Sequence, residues 1–247
     1  MRSTIAFFFI FIFLGCCPLA KMAAQSVAED SLLYQRAVSH LVDLYHRASA
    51  DQSGLFNGRQ YAQYAFRFED GAHPFFFSDK PGMGQVVYDG ILYRELALQY
   101  DEIQGVLVMQ DDQHFIQLLT PRIKSFSLFN SHFIRIVQDS TMPAQLKTGF
   151  YNVLYSGQAS LLRKEEKKIR ADVSGGELQR YIDVSVSYFV YAGNTYHLIK
   201  NKKTLLDVLA DRKKELRQYI RSNGLNFRKD RQQALEKVIA CYNQLVK

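Results

Sequence analysis

The alternation of apolar and polar positions is clearest over residues 84–109, where two Tyr-rich apolar runs flank Asp89-Gly90. Asp-Gly supplies the positive φ angles that a two-residue hairpin turn requires. A third apolar run, residues 106–109, follows a second turn at Gly105. This stretch is therefore predicted to form consecutive antiparallel strands.

Short apolar runs of the same kind continue to residue 200, with turn residues between them. Intervals of about 8 to 12 residues are typical of antiparallel sheets, and they predict a curved meander of about eight to ten strands over residues 84–200. The separating residues are Asp111-Asp112, Pro121, Asn130-Ser131, Ser156-Gly157 and Gly193-Asn194.

Residues 51–83 precede the meander and are rich in Gly, Pro and aromatic residues. Repeated Gly and Pro interrupt any regular element, so this part is predicted to be a long connecting region. Its aromatic side chains, including residues 75–77, are expected to fold back onto the sheet because exposing so many rings to water is unfavourable.

Helical spacing of apolar residues appears on both sides of the predicted sheet. Residues 25–50 follow the three- and four-residue spacing of an amphipathic helix, and residues 201–247 show the same spacing twice. The C-terminal part is predicted to be a basic helical hairpin packed on the sheet as one domain. The predicted fold class is thus α+β, with helices at both ends of an antiparallel meander.

The C-terminal hairpin also carries boundary signals. Thr204 with Asp207 resembles a capping box, and Asn223-Gly224 is a typical stop signal. Asp230, with Gln233 three residues later, predicts the start of the second helix.

The first 24 residues predict an export signal. Arg2 precedes an apolar run over residues 5–14, which is too short to cross a hydrocarbon core that needs about 20 residues. Cleavage after Ala24 is favoured and would release a soluble protein, whereas the alternative cleavage before Cys16 would leave a lipid-modified cysteine. The protein is therefore predicted to be exported, to the periplasm, the outer membrane or the medium, without a transmembrane span.

The positive charge of the chain is concentrated at its C-terminus. The formal net charge is +7, and residues 200–247 carry 13 basic and 5 acidic side chains. In an exported protein such a cluster predicts an anionic lipid, a glycolipid or an envelope protein as partner, and excludes nucleic acid. A solvated face of an amphipathic helical hairpin explains the same charges without any partner, and it is the favoured alternative. The candidate binding residues are Lys213, Lys214, Arg217, Arg221, Arg228 and Lys229.

No familiar catalytic, cofactor or metal pattern occurs in the sequence, since its six histidines lack the spacing of a helical metal pair. A non-enzymatic envelope protein is therefore predicted, with no catalytic residue, cofactor or metal assigned. One alternative is a small-ligand-binding β-barrel formed by closure of the meander. Another is a hydrolase whose site is assembled from dispersed residues such as Asp101, Glu102, His114, His132 and Tyr93.

The chain resembles a group of uncharacterised exported proteins common in Bacteroidota. The resemblance is carried by Phe56-Asn57-Gly58-Arg59, by HPFF at residues 73–76, and by the segments VVYDGILY, LQYD and KKELRQYIRSNGLNFRKD. It implies a shared exported architecture over nearly the whole mature chain, and it implies no activity, cofactor or site residue.

Overall fold

The computed structural model describes Val38, residues 54–174 and residues 176–246. The predicted export signal with Cys16 and Ala24, and the predicted helix over residues 25–50 except Val38, lie outside the described residues. Ala50–Lys247 form one compact unit.

Within the described residues, eleven strands form one antiparallel sheet with the order β1-β5-β4-β3-β2-β6-β7-β8-β9-β10-β11. The α+β class with an antiparallel sheet is confirmed. The strand beyond the predicted eight to ten is β1, a two-residue strand in the connecting region that is too short to give a periodic signal. The strands are β1 (Arg59–Gln60), β2 (Gly82–Tyr88), β3 (Ile91–Asp101), β4 (Val106–Asp111), β5 (His114–Gln117), β6 (Ile123–Leu128), β7 (Ser131–Ile136), β8 (Gly149–Tyr155), β9 (Ser160–Ser174), β10 (Glu177–Ala192) and β11 (Thr195–Ile199).

The hairpin turns follow from local sequence, as predicted. At the β2–β3 turn φ is 50° at Asp89 and 82° at Gly90, and the flanking residues Tyr88 and Ile91 pair directly. The Gly193-Asn194 turn between β10 and β11 has positive φ at both residues as well. These are the angles of a two-residue hairpin that matches the twist of its strands.

The sheet is built from two meanders that meet at β2. One runs from β2 to β5 and the other from β6 to β11 on the opposite edge of β2. The chain returns from β5 to β6 in five residues that include a 3-10 turn at Thr120–Arg122. In a flat sheet those strands would lie about 19 Å apart, which a chain of that length containing a helical turn cannot span. The sheet is therefore curled.

Aromatic side chains fill the inside of this curl. The Tyr100 ring of β3 lies 5.4 Å from Phe126, 5.4 Å from Phe133 and 5.7 Å from Phe150, measured between ring centroids. All four side chains are buried. At these rings the interior of the curl is packed with side chains.

The curl is completed by the connecting region. The Phe76 N–H donates to the Tyr100 carbonyl (2.8 Å), and the Glu102 N–H donates to the Pro74 carbonyl (3.0 Å). On the other side, the Lys167 N–H of β9 donates to the Glu102 carbonyl (3.4 Å). Residues 74–76 thus lie between the end of β3 and the middle of β9. Phe75 and Phe76 fold back onto the sheet as predicted, whereas the prediction is wrong for Phe77, whose side chain is 76% exposed.

Three C-terminal helices pack on the β9–β10 part of the sheet: α1 (Lys202–Val208), α2 (Lys213–Ser222) and α3 (Arg231–Leu245). Leu161 and Val190 share a buried cluster with helix residues that include Leu205, Leu216 and Leu235. The opposite face of the same strands is also covered, so this part of the sheet lies between two apolar layers.

Two details of the helices differ from the prediction. The capping box pairs Asn201 with Thr204, because the Thr204 N–H donates to Asn201 Oδ1 (3.0 Å) and the Asn201 N–H donates to Thr204 Oγ1 (3.1 Å). The predicted first helix is also interrupted by a 3-10 turn at Ala210–Arg212. This bend begins at Leu209, whose side chain is fully buried.

Strands β9 and β10 extend far beyond their neighbours. β8 pairs with β9 only as far as Arg163, and β11 pairs with β10 only from Tyr188 onward. The two long strands nevertheless stay paired as far as Ser174 and Glu177. Residues 164–174 and 177–187 therefore form a two-stranded ribbon, in which the charged segment RKEEKKIR is part of a strand.

Replacing residues 170–181 of the ribbon by Asn-Gly should leave the rest of the fold intact. Val173 and Leu178 are 69% and 51% exposed, so little buried area is lost. The shortened strands would be joined at the Ile169–Ile182 pair. We expect the melting temperature, followed by circular dichroism, to fall by less than about 5 °C. Loss of cooperative unfolding would show that the tip is needed for the fold.

Candidate anion-binding groove

A groove of about 610 Å³ lies between α1 and α2. Its apolar lining consists of Leu206, Ile220 and Leu225. Cations from both helices surround this apolar floor, and they are Lys202, Lys203, Lys213, Arg217 and Arg221.

The cations of α2 share one side of the helix because they recur every four residues. Lys213, Arg217 and Arg221 occupy positions i, i+4 and i+8, which lie above one another on a helix. Leu216 and Ile220 precede two of these cations directly and are buried against the sheet. Packing of the apolar row therefore fixes which way the cationic row faces.

Asp207 is the acidic side chain beside this groove. Its carboxylate lies 2.5 Å from the Lys213 ammonium. The hydrogen bond from Lys213, and then the charges of Lys213, Lys203 and Arg217, hold the pKa of Asp207 below its usual value. One carboxylate offsets one of the five cations, so the groove keeps a positive potential that attracts anions.

The six predicted binding residues do not all reach the groove. Lys213, Arg217 and Arg221 line it. Arg228 lines an adjoining depression of about 580 Å³, whereas Lys214 and Lys229 are exposed and line neither.

Lys202 and Lys203 were not among the predicted binding residues. They enter the groove because the bend after α1 brings that helix alongside α2. Residues Lys202, Gly224 and Leu225 line both the groove and the adjoining depression, which are therefore continuous.

The wall of the adjoining depression is held by defined contacts. The Arg231 guanidinium donates to the carbonyls of Ile199 (2.5 Å) and Lys200 (3.1 Å), which ties the start of α3 to the end of β11. Asn226 Oδ1 accepts the N–H groups of Arg228 (2.9 Å) and Lys229 (3.1 Å). The loop between α2 and α3 is thus shaped before any ligand binds.

The residues considered for a hydrolase lie at opposite ends of the antiparallel sheet. Asp101 and Glu102 are at the end of β3, and His132 is beside the β6–β7 turn at that same end. Tyr93 and His114 lie by the β2–β3 and β4–β5 turns at the other end. Tyr93 is eight residues before Asp101 on one strand, roughly 25 Å away. The structure does not gather these five residues into one site.

Asp101 and Glu102 instead hold the fold together. The buried Asp101 carboxylate accepts hydrogen bonds from the hydroxyls of Tyr61 (2.7 Å) and Tyr64 (3.0 Å). It also accepts the N–H groups of Ile103 (2.8 Å) and Gln104 (2.9 Å), which fixes the β3–β4 turn. These four donors explain a buried carboxylate without any catalytic role.

Glu102 forms an ion pair with Lys167 inside the protein. The two side chains are 2% and 10% exposed, and Nζ lies 3.2 Å from Oε2. Burial and the nearby Glu165 carboxylate raise the pKa of Glu102 to about 7, although Lys167 and Arg163 oppose this shift. Active-site carboxyls often have a raised pKa as well. Glu102, however, lies where β9 meets the end of β3, and its partner there is Lys167.

Within the described part of the chain, no three His, Cys, Asp or Glu side chains are grouped so that they could hold a metal ion. None of the helices in that part is long and apolar enough to cross a membrane.

No known protein family, curated protein or solved structure matches the chain. The case for the basic groove as a binding site depends on its own geometry and charge.

Proposed function

We propose that this is a non-enzymatic, exported cell-envelope protein that binds the anionic headgroup of an envelope amphiphile, such as a phospholipid or a phosphorylated glycolipid. The observation that carries the proposal is the groove between α1 and α2, where five cations surround an apolar floor. A phosphate would be held by the cations, and the first carbons of the attached lipid would contact the floor.

The cations of the groove suit phosphate. Arg217 and Arg221 are successive on one helix face, and a guanidinium can bind two phosphate oxygens at once. Lys202 and Lys203 add compact charges from the facing helix. A volume of about 610 Å³ lies within the range of small-molecule sites.

We place the protein outside the cytoplasm because Arg2 and the short apolar run over residues 5–14 are typical of an export signal. Release after Ala24 would deliver a soluble protein to the periplasm or beyond. Lipidation at Cys16 would hold the groove close to a membrane surface. In both cases phosphate headgroups of envelope lipids are accessible to the groove.

An acidic partner protein could use the same cations. The apolar floor favours an amphiphile, because Leu206, Ile220 and Leu225 would contact carbon atoms that lie next to the phosphate. The hydrolase alternative has no comparable support, since its five candidate residues are not gathered in one place.

Reversing the charge of Arg217 and Arg221 should weaken binding to anionic vesicles at least tenfold. The protein spanning residues 25–247 would be sedimented with vesicles of phosphatidylglycerol and phosphatidylcholine, and with phosphatidylcholine alone. Each cation near an anionic membrane contributes about 1 kcal/mol, and each Arg→Glu change also adds repulsion. We expect strong binding of the unaltered protein to the anionic vesicles only.

The matched control is Lys214→Glu in α2 with Lys237→Glu in α3, which changes the net charge equally at residues that do not line the groove. It should keep most of the binding. Equal loss in both double variants, or no binding by the unaltered protein, would contradict the proposal. Binding of inorganic phosphate without any binding of vesicles would assign the groove to a small free anion instead.

A further inference from the structure

A second depression, of about 430 Å³, is built from elements that take no part in the basic groove. It lies where the connecting region covers β3 and β5. Aromatic rings dominate its lining, and these are Tyr61, Tyr64, Phe66, Phe68, Phe75 and Phe115.

Three of these rings form a preorganised cluster. The ring centroids of Tyr64, Phe66 and Phe68 lie 5.3 to 5.7 Å apart in edge-to-face contacts. The Arg180 guanidinium of β10 lies 4.3 Å from the centroid of the Phe66 ring and supports it. All three rings are only half-buried, so they present apolar surface to the depression.

Polar groups lie among the rings. Gln99 is 4% exposed, and its Nε2 donates to the Asp79 carbonyl (2.7 Å). His73 Nδ1 is buried and also has no hydrogen-bond partner within the described chain. Burial and the charge of Lys167 lower the pKa of His73, which favours the neutral imidazole.

The charge of the lining does not select an ion. Arg67 and Asp79 are exposed and carry opposite charges, and the lowered pKa of His73 favours an uncharged imidazole. An anion or a cation would therefore meet attraction and repulsion together.

A purely apolar ligand does not fit these groups either. It would leave the buried Nδ1 of His73 without a hydrogen-bond partner, and it would cover the exposed Asp79 carboxylate, at a cost of at least about 1 to 3 kcal/mol for a polar group that loses water. The ligand must offer apolar surface to the rings and hydrogen-bonding groups to the imidazole and the carboxylate.

We infer that this depression is a carbohydrate-binding site. A sugar ring presents C–H groups on its faces, which pack on aromatic rings, and hydroxyl groups at its edge. The faces would lie against the Phe66 cluster, and the hydroxyls would pair with Gln99, His73 and the Asp79 carboxylate. This activity is separate from headgroup binding and does not depend on it.

The test uses maltotriose, mannotriose and tri-N-acetylglucosamine with the protein spanning residues 25–247. The chain has 15 Tyr and no Trp, so tyrosine fluorescence can report binding, with saturation-transfer NMR as a second readout. We expect saturable binding of at least one sugar with a Kd between about 0.1 and 10 mM. Phe66→Ala and Gln99→Leu should each weaken that binding at least tenfold.

Asp79→Ala changes an exposed side chain, so we expect this variant to fold normally. Its affinity for the sugar should be at least about threefold lower than that of the unaltered protein. The Arg217→Glu, Arg221→Glu variant should bind the sugar as the unaltered protein does. No saturable binding of any of the three sugars would overturn the inference. Unchanged affinity in both Gln99→Leu and Asp79→Ala would overturn it as well.

Discussion

Replacing Lys167 by Met should lower the free energy of unfolding by about 3 to 5 kcal/mol, the usual cost of removing one partner of a buried ion pair. The Lys167 ammonium lies 3.2 Å from Glu102 Oε2. It also donates to the carbonyls of Phe75 (2.6 Å) and His73 (3.2 Å). The change would leave a buried carboxylate and two carbonyls unpaired where the curl of the sheet is completed.

The loss should depend on pH because Glu102 can take up a proton. Its pKa is raised to about 7 in the folded protein and returns to its ordinary value, near 4.5, in the unfolded chain. Between those values the folded state holds more protons, so stability falls as pH rises. The positive charge of Lys167 lowers the pKa of Glu102, so in Lys167→Met that pKa should rise further and Glu102 should be protonated at pH 5. The deficit of Lys167→Met, measured by urea unfolding, should therefore be smaller at pH 5 than at pH 8.

Lys168→Met is the matched control, since this neighbour is exposed and its loss should cost less than about 0.5 kcal/mol. Adding Glu102→Gln to Lys167→Met should restore part of the stability, because the buried charge is then gone. A deficit that is the same at pH 5 and pH 8, or that equals the deficit of Lys168→Met, would argue against this role for the ion pair.

The hairpins of this sheet could be predicted because their information is local. Asp89-Gly90 specifies a turn through the backbone angles that its own residues adopt. The curl could not be predicted in this way. Lys167 and His73 are separated by 94 positions in the chain, and no periodic pattern reports that they meet.

The ribbon contains a strand that its charged sequence does not predict in full. Residues 163–170 carry many charges, which by themselves indicate an exposed strand end that runs into a polar loop. In the structure Asp183 of β10 lies opposite Lys168, and its carboxylate lies 3.3 Å from the Arg170 guanidinium. Cross-strand pairing of opposite charges stabilises a sheet, so the high charge does not end β9.

Half of the groove could be predicted, and the reason lies in α2. The four-residue spacing of Lys213, Arg217 and Arg221 shows that they share one side of a helix. The contribution of Lys202 and Lys203 depends on the bend near Leu209, which the continuous apolar pattern does not signal.

Asn243 illustrates a residue whose role is invisible in the sequence. It is 5% exposed, and its amide accepts the Ala159 N–H (3.0 Å) and donates to the Ala159 carbonyl (2.8 Å). Gly157 permits this approach, because a Cβ there would lie 2.3 Å from Asn243 Oδ1. A polar residue near the end of an amphipathic helix is thus the attachment point of α3 to the β8–β9 turn.

Asp101→Ala should lower the free energy of unfolding by about 3 kcal/mol or more, because it leaves several buried donors without an acceptor. The hydroxyls of Tyr61 and Tyr64 and two backbone N–H groups converge on this carboxylate at 2.7 to 3.0 Å. Asp111→Ala, at an exposed aspartate on the next strand, should cost less than about 0.5 kcal/mol. Urea unfolding of the two variants measures the difference.

The link between Asp101 and the connecting region can be isolated with Tyr61→Phe, which deletes one donor and keeps the ring. In the unaltered protein, Tyr61→Phe removes one hydrogen bond from the buried Asp101 carboxylate and so lowers the stability. In the Asp101→Ala variant the carboxylate is already absent, so removing the Tyr61 hydroxyl costs no such hydrogen bond. The two changes should therefore be clearly non-additive, with a coupling of about 1 kcal/mol or more. The hydroxyl of Tyr61 lies 2.7 Å from the Asp101 carboxylate. If the stability losses of the two single variants simply add up in the double variant, this contact does not hold residues 61–64 against β3. A strong coupling would instead identify Asp101 as the residue that joins the connecting region, and with it the aromatic depression, to the sheet.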